Sequence, residues 1–234
     1  MRLDKFISKA TELSRKEAKK VLHASEITVN DEVVKDGSVH VDEANDEVMW
    51  VGETLSVATG NRYILLYKPE GFECTLKPKE YPIVTELIAV PELTSLRIAG
   101  RLDVDTTGAL ILSDDGKWLH RVTSPKHSHE KVYELTLAEP MDADAQANAI
   151  AKVAKGILLD GDYEPTKPAT LEFIDETHAR LILTEGKYHQ VKRMMGYFGN
   201  KVTELHRASI GGITLGGLEK GDSRFLTEEE IAGF

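Results

Sequence analysis

Cysteine is almost missing from this 234-residue chain, where Cys74 stands alone. One thiol forms no intrachain disulfide and cannot build an all-cysteine zinc site. No apolar run approaches the roughly 20 residues needed to span a bilayer. The first residues, Met1-Arg2-Leu3-Asp4-Lys5, carry no hydrophobic signal core. Internal repeats and low-complexity tracts are also lacking. The expectation is a cytoplasmic protein that does not engage membranes. His120, His127 and His129 fit no common zinc spacing, so no metal is expected. Net positive charge is missing too: 29 Lys and Arg against 39 Asp and Glu leave −10. That balance argues against indiscriminate binding to polyanions.

What is present describes a globular chain, 41% hydrophobic and 29% charged, long enough for one large or two small domains. Its charge is unevenly spread. Residues 1–20 hold Arg2, Lys5, Lys9, Arg15, Lys16, Lys19 and Lys20 against Asp4, Glu12 and Glu17, a net +4 that leaves −14 for the rest. A basic head on an acidic body points to a partner met at defined surfaces.

Leu3, Phe6, Ile7 and Ala10 recur at helical spacing. Ser14-Arg15-Lys16-Glu17 has the form of a capping box, so a second helix should start near Arg15. Ala18, Val21 and Leu22 form its apolar side; Arg15, Lys16, Lys19 and Lys20 form its basic side. Short strands are expected at 27–29, 33–34, 39–41 and 47–50, and residues 52–61 read as a linker. Two small helices followed by short strands, opening on Arg-Leu-Asp, resemble the S4 RNA-binding module. The resemblance implies RNA phosphates as partners of Arg2, Arg15, Lys16, Lys19 and Lys20, with salt-sensitive affinity. The domains expected are 1–58 and 59–234.

Beyond the linker, strands are expected at 63–67, 96–99, 109–113, 132–137, 170–174 and 179–184. Helices are expected from Asp142 to about Lys155 and over 187–198. Without regular βαβ alternation, this is an α+β pattern with a mixed, mostly antiparallel sheet. Within it, Gly100-Arg101-Leu102-Asp103-Val104-Asp105-Thr106-Thr107-Gly108 sits between apolar segments, which reads as strand, tight loop, strand. Asp, Thr and Gly are ordinary turn residues, and Asp105 through Gly108 can be explained so. Asp103, between Leu102 and Val104, is harder to explain that way.

The run closely resembles the catalytic motif of pseudouridine synthases, in the form of the RsuA branch, which modifies small-subunit rRNA. The resemblance implies that Asp103 is the nucleophile and that Arg101 holds the place of a flipped nucleotide. Four further segments resemble the same family: Tyr67-Lys68-Pro69-Glu70-Gly71; Thr123 to His127 followed by Glu130-Lys131-Val132-Tyr133; Glu185 to Met195; and Glu204 to Ile213. By this resemblance Lys68 meets substrate, Tyr133 is the active-site tyrosine, and Lys192 or Arg193 is the cation beside Asp103. It further implies a central cleft, no cofactor, and action as a monomer on 16S rRNA, in its 5′ domain, or on a small-subunit assembly intermediate.

Other readings make different demands. A large-subunit rRNA enzyme of the same family would share the site, but Thr-Ser-Pro-Lys-His favours the small-subunit branch. A non-catalytic S4-containing ribosome assembly factor has no need of Asp103 and Lys192. A hydrolase would pair Asp103 with Glu185 across one cleft. Cys74 lacks a companion His motif and reads as a buried thiol.

Overall fold

The computed structural model describes all residues except Glu12, Ala44, 57–59, 76–79, 91–92 and 125–126. The chain divides into two compact units, Met1–Asn61 with Ala89–Ser95, and Arg62–Ile88 with Leu96–Phe234. The boundary expected between residues 58 and 59 lies outside the described residues.

The smaller unit opens with helices α1 (Leu3–Ala10) and α2 (Arg15–His23). Ser14 caps α2 as its sequence predicts: its hydroxyl accepts from the Glu17 N–H, and the Glu17 carboxylate accepts from the Ser14 N–H at 2.8 Å. Strands β1 (Ile27–Val29), β2 (Glu32–Val33), β3 (Val48–Trp50) and β4 (Glu53–Leu55) follow, in the sheet order β2-β1-β3-β4. Leu3, Phe6 and Ile7 of α1 pack with Ala18 and Leu22 of α2 onto Ile27 and Val48.

Two expectations are corrected here. Residues 39–41 form no strand, because their backbone serves the start of α1: Leu3 N–H donates to Val39 O and Val41 N–H to Met1 O, each at 2.7 Å. Residues 53–55, read as linker, pair with β3. Val51 and Gly52 both take positive φ, 49° and 84°, and close a tight hairpin. Asp4 is buried beneath the head's cations, accepting from Arg2 at 2.9 and 3.1 Å and from Arg15 at 2.9 Å. The Arg2 hydrogen bonds first, then that of Arg15, outweigh burial and pull its pKa down to about 2.

The larger unit comprises β5 (Tyr63–Lys68), β6 (Arg97–Ala99), β7 (Thr106–Ser113), α3 (Gly116–Thr123), β8 (Lys131–Leu137), α4 (Ala143–Val153), β9 (Thr170–Phe173), β10 (His178–Leu183), α5 (Gln190–Tyr197), β11 (Val202–Ile210), β12 (Ile213–Thr214), β13 (Ser223–Phe225) and α6 (Glu228–Ala232). Its sheet runs β13-β5-β7-β11-β8-β10-β9, with β6 on β7 and β12 on β11. Only β7 and β11 pair in parallel among the described strands. The architecture is α+β with a mixed, mostly antiparallel sheet. Helix α3 is not among the expected elements. Its signal is Asp115, which accepts from Lys117 and Trp118 N–H at 3.0 Å, followed by Trp118, Leu119 and Val122 turned into the core. Helix α5 begins later than its pattern suggests, because His189 holds a left-handed conformation (φ 45°, ψ 38°) just before it.

Candidate active site

The loop from Gly100 to Asp105 joins β6 to β7 and is fixed from beneath. Lys68 is fully buried at the end of β5. Its ammonium donates to Pro69 O at 2.9 Å, Val104 O at 3.3 Å and Thr106 O at 2.8 Å, which uses all three donors. Burial pushes this ammonium below its ordinary pKa, and the charges of Asp105 and Asp103 are among those opposing the shift. Leu102 N–H donates to Cys74 Sγ at 3.4 Å, and Gly71 N–H donates to Val104 O at 2.8 Å. The Cys74 thiol is itself pushed up by burial, so it serves the loop as an acceptor rather than as a nucleophile.

Helix α5 faces this loop. Lys192 Nζ lies 3.3 Å from Asp103 Oδ2 and donates to the two Asp105 oxygens at 2.6 and 2.9 Å. His189 Nε2 approaches the other Asp103 oxygen at 3.1 Å. The Asp103 carboxylate therefore stands between the imidazole of His189, just before α5, and the ammonium of Lys192 in its first turn. Burial disfavours the Lys192 ammonium, but its hydrogen bond to Asp105 and the charges of Asp103 and Asp105 outweigh that and raise its pKa. Burial works against the Asp105 anion as well; the Lys192 interaction prevails and holds this carboxyl below its usual range.

Asp103, Arg101, Lys192 and His189 share a cleft of about 870 Å³ with Tyr133, Arg207, Lys131 and the apolar Leu183, Leu205 and Ile210. Tyr133 on β8 lies opposite Arg207 on β11. Both are buried, and the Tyr133 hydroxyl accepts from Arg207 Nη1 at 3.4 Å. Arg207 Nε donates to Ala109 O at 2.7 Å. Its remaining nitrogen, Nη2, is buried with no hydrogen-bond partner among the described residues. Burying a cation away from any carboxylate costs on the order of several kcal/mol, so this arrangement calls for an explanation. Gly108 lets the β7 and β11 backbones meet here. A Cβ at that position would lie 2.2 Å from Arg207 O, and its φ is +115°.

Comparison with known proteins resolves the reading. The family model for RNA pseudouridylate synthase matches residues 62–197, and that for the S4 domain matches residues 1–48. The chain belongs to the RNA pseudouridylate synthase family. It is 48% identical to a protein of Pasteurella multocida named ribosomal small subunit pseudouridine synthase A, over 100% of this chain and 99% of that protein. An Escherichia coli protein of the same name is 45% identical, over 99% of each chain. A crystal structure of a pseudouridylate synthase superposes with a TM-score of 0.69 at 45% identity, covering 100% of this chain and 99% of that one.

In this synthase the fold brings Asp103, Tyr133, Lys192 and Arg101 to one cleft. Arg101 is exposed on its wall with no hydrogen-bonded partner among the described residues. Two expectations are corrected. Lys68 is not presented to substrate, because every donor of its ammonium is spent on backbone carbonyls beneath the loop. Arg193 is not the partner of Asp103. Its guanidinium turns to Asp162 Oδ1 at 2.6 Å, Asp160 O at 2.7 Å and Tyr188 O at 3.2 Å. Lys192 takes the place beside Asp103. In the smaller unit, Arg15, Lys16, Lys19 and Lys20 are exposed on α2, while Arg2 and Arg15 are engaged with Asp4. Glu185 lines the cleft, but one of its oxygens accepts from Lys167 N–H and Gln190 Nε2, each at 2.8 Å.

Sequence reasoning missed two residues. His189 lies within the quoted Glu185–Met195 run, and its spacing of three from Lys192 was the available signal. Arg207 lies within the Glu204–Ile213 segment that resembles the family, but nothing local marks it as a buried arginine. Among the described residues, no three acidic, His or Cys side chains converge as metal ligands. Among the described residues, no helix is long and apolar enough to cross a membrane.

Proposed function

We propose that this chain converts a uridine of small-subunit ribosomal RNA to pseudouridine, with Asp103 as the reacting carboxylate. The observation that carries the reading is the Asp103 carboxylate, held between Lys192 and His189 at the mouth of a cleft backed by Tyr133. The names of relatives matched end to end support the substrate. The reaction breaks the uracil N1–C1′ bond and forms a C5–C1′ bond; the C5 proton leaves and N1 regains a proton, so atoms balance with no external reactant. Asp103 starts it, at the ribose or at the ring. Lys192 places its cation beside the carboxylate, Arg101 occupies the space of the extruded nucleotide, and Tyr133 stacks on the base. The exposed cations of α2, with Arg2, meet RNA phosphates. A uridine in the 5′ domain and a monomeric enzyme complete the proposal.

Asp103→Asn tests it. The variant is expected to bind RNA and make no pseudouridine when rRNA is mapped from a deletion strain carrying it. Pseudouridine still present at the wild-type position would reject Asp103. Release of free uracil by the wild-type protein would favour hydrolysis instead.

A further inference from the structure

We propose that Arg207 takes up the negative charge that develops on the uracil as its N1–C1′ bond breaks, by donating from Nη2 to a ring carbonyl oxygen. The proposal rests on the reading of this cleft as a pseudouridine-forming site.

The Arg207 guanidinium is incompletely satisfied. The residue is 2% exposed, and buried donors are nearly always satisfied. Its Nε and Nη1 have partners in Ala109 O and the Tyr133 hydroxyl, both uncharged. Its Nη2 has none, and no carboxylate pairs with this guanidinium among the described residues. A buried charge without a counter-charge is expected where a bound molecule provides one.

Its placement fits a base. Arg207 lines the same cleft as Asp103, beside Tyr133 and together with Leu205, Ile210 and Leu183 as well as the charged Lys131 and Glu185. Such walls accept a flat, largely apolar ring and leave a backbone phosphate poorly solvated. Lys131 lines the cleft too, and burial, together with the charge of Arg207, lowers its pKa.

The guanidinium is also rigidly held. Arg207 lies in the parallel ladder with β7, opposite Gly108. Its Nε is tied to Ala109 O, and its Nη1 donates to the Tyr133 hydroxyl. A donor fixed in this way before the reaction needs no reorganisation when charge appears, which is the condition for electrostatic catalysis.

The chemistry needs such a donor by any route. Attack at C1′, or removal of a ribose proton, expels uracil with the N1–C1′ electron pair, which spreads onto O2 and O4. Attack at the ring likewise places charge on a carbonyl oxygen. When C5 bonds to C1′ and loses its proton, N1 is reprotonated and the charge disappears. Asp103 begins the sequence; Arg207 stabilises its middle.

The test uses the full-length protein and a small-subunit rRNA fragment carrying uridine, 2-thiouridine or 4-thiouridine at the target position, since sulfur accepts hydrogen bonds weakly. Single-turnover formation of the C-glycoside is followed with wild type and with Arg207→Lys. Arg207→Lys is expected to slow the uridine reaction about 100-fold, the effect of losing one fixed donor, with RNA affinity unchanged. One of the two thio substitutions is expected to slow the wild type and to cost the variant nothing more. A wild-type enzyme indifferent to both sulfur positions overturns the proposal, and that arm requires no variant to fold. So does an Arg207→Lys protein of wild-type melting temperature and wild-type rate, or a thio penalty that persists undiminished in the variant. A wild-type protein that forms no pseudouridine from uridine overturns the underlying reading, and the proposal with it.

Discussion

Replacing Gly108 by alanine tests how the fold holds the site. The new methyl would lie 2.2 Å from the Arg207 carbonyl oxygen and 2.6 Å from its nitrogen. Unstrained approaches to carbon begin near about 3.5 Å, so β7 and β11 must separate by roughly 1 Å. Both obstacles are backbone, so no side-chain rotation relieves them. Crowding of this kind costs about 1–3 kcal/mol. The φ of +115° adds about 1–3 kcal/mol for a residue with a Cβ. Together they amount to about 4 kcal/mol. In a domain of this size each kcal/mol moves the melting temperature by about 2–4 °C, so thermal unfolding followed by circular dichroism should show a fall of roughly 10 °C. Gly116→Ala is the control: nothing lies within 4 Å of its Cβ position, and the residue opens α3. It should be neutral or up to about 1 kcal/mol stabilising. A Gly108→Ala protein melting within about 3 °C of wild type would refute the idea that this glycine exists for the β7–β11 approach.

Tyr133→Phe should bind RNA normally and turn over more slowly in single-turnover assays, since the ring remains while the hydroxyl that accepts from Arg207 is removed; wild-type turnover would reduce the hydroxyl to a bystander. Changing Lys16, Lys19 and Lys20 together to Gln should weaken RNA binding and flatten its log–log salt dependence by about one unit for each phosphate no longer neutralised; an unchanged slope would remove α2 from the interface. Asp4 has a pKa depressed to about 2, so its stabilising effect is complete above about pH 4 and is lost as pH falls towards 2. Fluorescence of Trp50, isolated by Trp118→Phe, should report acid unfolding of the smaller unit over that window, and Asp4→Asn should remove part of it. Asp105→Asn should retain measurable isomerisation where Asp103→Asn retains none; equal loss in both would remove the distinction between them.

The parts of this chain that could be read from sequence are those in which local chemistry agrees with the fold. Ser14 and Glu17 form a reciprocal cap that needs no tertiary help, and Asp142 likewise caps α4, accepting from Ala145 N–H at 2.9 Å. The two apolar segments flanking the 100–108 run form β6 and β7 and pair with each other. What could not be read depends on distant partners. Thr106 to Gly108 look like turn residues, yet they begin β7, because the parallel neighbour β11 supplies their ladder and Lys68 bonds the Thr106 carbonyl from beneath. Residues 39–41 look like a strand but spend their hydrogen bonds on α1. Lys68 looks like a surface cation beside a proline turn, and only the tertiary structure reveals three carbonyls converging on it. Arg193 and Lys192 are adjacent in sequence and equally basic. One residue of helix rotation sends one to Asp162 and the other to the loop.

The pairing distances alone would favour Asp105 as the working carboxylate, since Lys192 lies 2.6 Å from Asp105 and 3.3 Å from Asp103. Exposure argues the other way. The Asp105 side chain is 71% exposed and that of Asp103 is 27%. A carboxylate largely in water keeps its hydration shell and gains little reactivity from a neighbouring cation. A half-withdrawn one exchanges water for fixed partners, and Asp103 has two, His189 on one oxygen and Lys192 on the other. The backbone is arranged around it in the same sense. Cys74 holds the N–H of Leu102 just before it, and its own carbonyl accepts from Thr106 N–H at 3.1 Å just after it. Asp105 then has a different part to play. By taking the short hydrogen bond from Lys192 it draws the ammonium to the loop and holds it where Asp103 can use it. On the proposed reading the two acids of the run divide the work, Asp103 reacting and Asp105 positioning the cation that both share.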